Sequence, residues 1–270
     1  MMTVLPLLLE PEQLVAHLHE ANLLIIDLCK ASVYQQAHIP HALWLNHRTL
    51  VSGEFPAAGN LPSLSQLTEV FNKLGLTPEK HVVVYDDEGG GWAGRLIWTL
   101  DVIGHRHYSY LNGGLHAWLA ANAPIENTPN RALPSTTTWQ LDDNPQANID
   151  YVLAHHQTSN HILWDARSPE EYTGARLLAM RGGHIPYAVN YEWTTAIDNN
   201  NALKLRDLTI IAQELADLGI TADKTVITYC QTHHRSGLTY LVGRLLGFNI
   251  KAYAGSWSEW GNRSDTPIVN

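Results

Sequence analysis

Leu74-Gly75-Leu76-Thr77-Pro78-Glu79-Lys80-His81-Val82-Val83-Val84-Tyr85 returns without a gap as Leu218-Gly219-Ile220-Thr221-Ala222-Asp223-Lys224-Thr225-Val226-Ile227-Thr228-Tyr229, with half the positions identical. Each copy reads the same way. A helix ends at the glycine, a short turn follows, and an apolar β-rich run forms a buried strand. The similarity extends outward in both directions. Upstream, Leu67, Val70, Phe71 and Leu74 make a helix face capped by Ser63 or Ser65, and Leu208, Ile211, Leu215 and Leu218 make its counterpart. Further back, Leu23 to Asp27 and Leu163 to Asp165 are strand ends, and Ala37-His38-Ile39-Pro40 is echoed by Gly183-His184-Ile185-Pro186. Downstream, Gly113 and Trp118 match Gly255 and Trp260. Two copies of one strand–helix unit predict an α/β fold of two tandem domains, each a mainly parallel sheet flanked by helices, with sites at strand carboxyl ends.

At 270 residues, 45% hydrophobic and 16% charged, the chain suits two domains with sizeable cores. Residues 1–120 and 151–270 are the expected domains. Between them, 121–150 carries Pro124, Pro129, Pro134 and Pro145 among many Asn, Thr and Asp, which reads as an extended connector. Glu12 to Asn22 reads as a short helix with Leu14, Val15 and Leu18 inward. A net charge of -9 argues against nucleic-acid binding. The apolar start, Met1 to Leu9, lacks a basic flank and is too short for a signal peptide or membrane span, so a soluble cytoplasmic protein is expected. Cys29 and Cys230 lie in different halves and build no disulfide framework or CxxC pair.

The chemistry is sought where the copies differ. After Tyr229 comes Cys230-Gln231-Thr232-His233-His234-Arg235-Ser236; after Tyr85 comes Asp86-Asp87-Glu88-Gly89-Gly90-Gly91. Cys230 stands at a strand end before a helix whose free N–H groups and dipole favour an anion, and His233, His234 and Arg235 add donors and charge. That setting lowers a thiol pKa and suits a nucleophile, although a lone cysteine is more often a small buried hydrophobe. The acidic loop of the first copy is expected to repel anions and to leave that copy silent. Arg167 faces Cys29 in the repeat, and eight extra residues before Gly183 bring Arg176 and Arg181. These arginines are candidates for lining the pocket, with an internal ion pair for Arg167 and a solvated loop for the other two as alternatives. Asp165 reads as a structural acceptor pinning the loop rather than a general base. The fifteen histidines show no metal-ligand spacing, and the tryptophans read as filling cores and the domain interface.

Taken together, Asp165-Ala166-Arg167, the Gly-His-Ile-Pro element, the cysteine loop and the terminal Gly/Trp element resemble the rhodanese family, specifically its two-domain bacterial thiosulfate sulfurtransferases. The resemblance implies that Cys230 takes a sulfane sulfur as a persulfide and passes it to cyanide or a thiol, without cofactor or metal. The loop Gln231 to Ser236 would hold the donor with its N–H groups, and a monomer is expected. A sulfur-accepting protein is a further candidate partner. Gln231 and Thr232 depart from the cationic residues of mammalian members. The mercaptopyruvate-type Cys-Gly-Ser/Ala-Gly loop is absent, and Glu171 stands where a second arginine is common. Three rivals stay open. A cysteine phosphatase would place its arginine six residues after the cysteine, but here it is five and Ser236 is sixth. A cysteine hydrolase would need a fixed histidine base. A persulfide carrier would deliver sulfur to a partner without turnover of its own.

Overall fold

The computed structural model describes residues 5–270; the first four residues of the apolar start lie outside the described residues. The first half runs Leu8–Leu9 (β1), Pro11–Val15 (α1), Leu23–Asp27 (β2), Ala31–Gln36 (α2), Leu43–Trp44 (β3), Leu64–Lys73 (α3), His81–Tyr85 (β4), Gly91–Val102 (α4), Tyr108–Leu111 (β5) and Gly114–Ala120 (α5). Its strands order β1-β5-β4-β2-β3, all parallel. The second half runs Ile149–His155 (α6), His161–Asp165 (β6), Pro169–Tyr172 (α7), Ala188–Asn190 (β7), a small hairpin Ile197–Asp198 (β8) and Lys204–Leu205 (β9), Leu208–Asp217 (α8), Thr225–Tyr229 (β10), Arg235–Leu245 (α9), Asn249–Ala252 (β11) and Ser256–Trp260 (α10). Its main sheet is β11-β10-β6-β7, again parallel. No described helix is long and apolar enough to cross a membrane.

The repeated stretch sits where its pattern predicts. Ser63 caps α3 in a capping box with Gln66, and Gly75 and Gly219 take the left-handed backbone that ends α3 and α8. β4 and β10 are the central strands, each paired in the same register, Asp27 opposite Tyr85 and Asp165 opposite Tyr229. The His-Ile-Pro elements are structural twins. His38 stacks on Tyr34 and His184 on Tyr172, with each imidazole Nδ1 at hydrogen-bond distance from that tyrosine's carbonyl. The N–H of Ile39 donates to the hydroxyl of Tyr85, and that of Ile185 to the hydroxyl of Tyr229.

Two expectations shift. The first helix stops at Val15, and that side chain faces solvent while Leu14 and Leu18 go inward. Residues 121–148 carry no helix or strand, but Asn148 caps α6, which therefore begins inside the stretch read as connector. That stretch is laid down by hydrogen bonds: Asp142 N–H to the Val102 carbonyl, and the Pro145 carbonyl accepting from Trp98 Nε1 and Ala252 N–H.

What brings the halves together is the pair of helices that follow the two equivalent loops. α4 and α9 cross backbone on backbone: an added Cβ on Gly237 would lie 2.5 Å from Arg95 N, and one on Gly94 would lie 2.8 Å from Leu238 N. One continuous hydrophobic cluster spans both halves through Val84, Leu96 and Trp98 on one side and Val226, Leu238 and Leu241 on the other. Asp101 of α4 is a buried hub for this crossing, accepting from Tyr108 and Tyr240 hydroxyls and pairing with Arg106 and Arg244.

Candidate active site

Cys230 is buried at the carboxyl end of β10, and residues 230–234 curl into α9. The curl needs one left-handed residue, His233 at φ +54°, where the first copy has Gly89, also at positive φ. The first turn of α10 holds the loop from behind. Trp257 N–H and Ser258 N–H donate to the carbonyls of Cys230 and Gln231, and Cys230 N–H donates to Ser256 Oγ. Burial pushes the Cys230 thiol up, but the Arg235 charge and hydrogen bonds from the Ser236 hydroxyl and the Ser236 and Thr232 N–H groups outweigh it, and the thiol ends below its ordinary range. Cys29 is the control: burial and the adjacent Asp27 drive its thiol far up.

The first copy displays what such a loop does. Asp86, the residue aligned with Cys230, is fully buried, and its carboxylate accepts from the N–H groups of Glu88 (3.1 Å), Gly90 (2.9 Å) and Ala93 (3.0 Å). This corrects the expectation of an anion-repelling loop. The loop is an anion cradle, and its own aspartate fills it. Another acid of this loop reaches across: Glu88 pairs with His234 Nε2. Thus the first half reaches the cysteine loop through Glu88, with Asp86 standing where the second half has Cys230.

The cationic residues expected around the cysteine are mostly spoken for. Arg235 makes a two-pronged pair with Glu171 (2.5 and 2.8 Å), which is why an acid stands at that position. The Glu171 carboxyl is lifted by burial, but Arg235 holds it below the usual range. Arg167 is buried and locked onto Asp165 (2.6–3.1 Å) and the Gly183 carbonyl, with its guanidinium 4.4 Å from the Trp257 ring centre. The ion-pair alternative for Arg167 therefore describes it, and Asp165 is a structural acceptor that takes the main-chain N–H of Arg167 (3.0 Å) as well as its guanidinium.

Arg181 donates to the carbonyls of Trp260 and Thr266 and so fastens the C-terminal segment. Arg176 is exposed, with its charge toward Glu170. The extra segment meets the cysteine loop through the Leu178 carbonyl, which accepts from Gln231 Nε2 at 2.9 Å, rather than through either arginine.

The histidines divide. His233 is fully buried, with Nδ1 2.7 Å from Ser236 Oγ and its ring edge-on to Trp98; burial and the nearby Arg95 hold its pKa well below the ordinary value, so it is neutral. His234 is half-buried in a column in which Trp92 stacks on it at 4.3 Å and His47 stacks on Trp92 at 4.0 Å. Trp92 thus fills the interface between the halves, a place expected of the tryptophans. Thr232 lies under the first half: an added Cβ on Gly59 would sit 2.6 Å from its carbonyl carbon.

Sequence reasoning missed Glu88, Arg95 and Ser256. The first two reach the cysteine loop only through the helix crossing, and Ser256 only through the return of the chain after β11.

A family model described as Rhodanese-like domain matches residues 10–121 and again 148–263. A thiosulfate sulfurtransferase of Azotobacter vinelandii is 50% identical over 98% of this chain and 97% of its own. One from Pseudomonas aeruginosa is 48% identical with the same coverage. Among solved structures, an anaerobic ergothioneine biosynthesis enzyme from Chlorobium limicola, in complex with trimethyl histidine, superposes with a TM-score of 0.86 over 97% of this chain and 69% of that one, at 22% identity, a likeness of fold.

Proposed function

The chain belongs to the rhodanese family, and from that premise we propose that its sulfur travels on Cys230 as a persulfide. The activity is that of a thiosulfate sulfurtransferase. In the first half-reaction the Cys230 thiolate attacks the outer sulfur of thiosulfate. The new S–S bond forms as the old one breaks, and the electron pair leaves with sulfite, giving Cys230–S–S⁻. In the second, cyanide or a thiolate attacks the terminal sulfur, expelling the Cys230 thiolate and carrying the sulfur away. One low-pKa sulfur serves as nucleophile and then as leaving group.

The observation that carries this reading is the filled cradle of the first copy. A carboxylate anion seated on three N–H groups at Asp86 supports an anionic sulfur at the same point of the second copy, where the residue is a cysteine with a lowered thiol. The loop N–H groups and the Ser236 hydroxyl would stabilise both the thiolate and the longer persulfide. Gln231, Thr232, His234 and Arg235 are the residues we assign to the donor side. Arg167 and Arg181 act as braces, and Arg176 has no assigned part.

The test is intact mass after thiosulfate. One added sulfur is expected, lost on adding cyanide with release of thiocyanate, and absent in Cys230→Ser. An added sulfur that survives in Cys230→Ser would overturn the assignment.

A further inference from the structure

Resting on the reading that Cys230 carries the sulfur, we propose that Arg95, a residue of the first repeat, is a positioning residue whose positive charge adds to that of Arg235 in holding that sulfur as an anion. Most cations around the cysteine loop already have a partner of opposite charge. Arg235 is matched by Glu171, Arg167 by Asp165 and His234 by Glu88, while His233 is neutral. Among the described residues Arg95 pairs with no carboxylate. It is fully buried in α4, donating from Nη1 to the Gly59 carbonyl (2.7 Å) and from Nη2 to the Leu50 carbonyl (2.6 Å), and its Nε has no hydrogen-bond partner. Its guanidinium stands 4.6 Å from the centre of the Trp98 ring, and Trp98 in turn packs edge-on against His233 of the cysteine loop at 4.5 Å. The main chain of Arg95 is where α9 touches α4, one turn into the helix that Cys230 precedes.

A buried charge with no counter-ion is strongly unfavourable unless something nearby supplies the opposite sign. Burial pushes the Arg95 guanidinium down to about 9, even with the negative charge of Cys230 pulling the other way. By the same attraction Arg95 would join Arg235 and the loop hydrogen bonds in favouring Cys230 as thiolate, and then as persulfide, over the neutral thiol. The same guanidinium ties the chain at Leu50 and Gly59, and Gly59 lies on Thr232, so Arg95 couples the cover of the site to the charge state of the sulfur.

The experiment reads the pH midpoint for iodoacetamide alkylation of Cys230, followed by peptide mass, in the parent, Arg95→Lys and Arg95→Gln. The other ionisable groups around the sulfur stay in place. They are Tyr229 on β10, Arg235 on α9, His233 and His234 in the loop, Glu171 on α7, Asp165 with Arg167 after β6, Glu259 on α10 and Glu88 from the first repeat. Loss of one opposed charge nearby should raise the midpoint by about one pH unit in Arg95→Gln, a tenfold drop in thiolate below it, with Arg95→Lys close to the parent.

Thermal melts separate folding from charge, and Arg95→Met replaces Arg95→Gln should the latter not fold. A folded neutral variant with the parental midpoint, or a lysine variant shifted as far as the neutral one, would overturn the proposal. The midpoint needs no sulfur donor, so it can fail while the persulfide reading survives, and the mass test on Cys230→Ser can fail while Arg95 still sets the midpoint.

Discussion

Gly237→Ala probes the contact on which the site depends. The new Cβ would lie 2.5 Å from Arg95 N, 3.1 Å from Arg95 Cα and closer still to the Gly91 carbonyl oxygen. Favourable heavy-atom contact begins near ~3.5 Å, so the crossing must open by about 1 Å. The opposing atoms are main chain in a packed helix, and no side chain can turn aside to make room. Overpacking of this kind costs about 3 kcal/mol, of which about 1 kcal/mol is returned by exchanging a helical glycine for alanine. A net loss of about 2 kcal/mol is expected. Gly94→Ala meets the same crossing from the other side, against the Gly237 carbonyl and Leu238 N. Once one substitution has parted the helices the second finds space, so the double variant should fall short of additivity by about 1 kcal/mol. Urea unfolding followed by tryptophan fluorescence reads the stability, and sulfur-transfer turnover should fall in parallel because Arg95 and Glu88 move off the cysteine loop. Parental stability in either single variant, or losses that add to within about 0.5 kcal/mol, would refute the shared backbone crossing.

At neutral pH a brief pulse of iodoacetamide should label Cys230 and spare Cys29, and Cys29→Ser should keep its turnover while Cys230→Ser loses it; peptide mapping and a thiocyanate assay check both. Asp86→Ala strips the acceptor from three N–H groups and should cost about 1–3 kcal/mol in a urea melt, with sulfate, entering the emptied cradle, restoring part of it. Burial pushes the Asp27 carboxyl up to about 6 against hydrogen bonds from Tyr85 and Cys29, from an ordinary 3.8. Because the folded pKa is the higher one, this group's contribution to stability is complete below the ordinary value and is lost as pH rises through about 6. Asp27→Asn should therefore gain about 2 kcal/mol on the parent between pH 4 and pH 7, measured by urea melts across that range; a constant difference would show that Asp27 is ionised throughout.

The repeat, and with it most of the fold, is legible in local stretches of the chain. Helix stops at Gly75 and Gly219, the cap at Ser63 and the buried strands ending at Tyr85 and Tyr229 are local matters, settled by backbone preference and by apolar runs that must leave water. Local sequence also singles out the cysteine, because a strand end feeding a helix start is a local anion site whatever surrounds it.

The charge on each surrounding group was decided only by tertiary structure. Electrostatic partners are chosen by proximity in space, and neither the Glu171–Arg235 pair, 64 residues apart, nor the Glu88–His234 pair, 146 apart, leaves a trace in any window of sequence. Burial is likewise a tertiary property: it turned His233 from an expected cation into a neutral core residue and, among the described residues, left Arg95 as a charge held by carbonyls alone. The acidic loop of the first repeat could be read from sequence only by its sign. In three dimensions Asp86 faces inward to its own N–H groups and Glu88 faces outward to the other repeat, and that difference of direction is set by the crossing of α4 and α9.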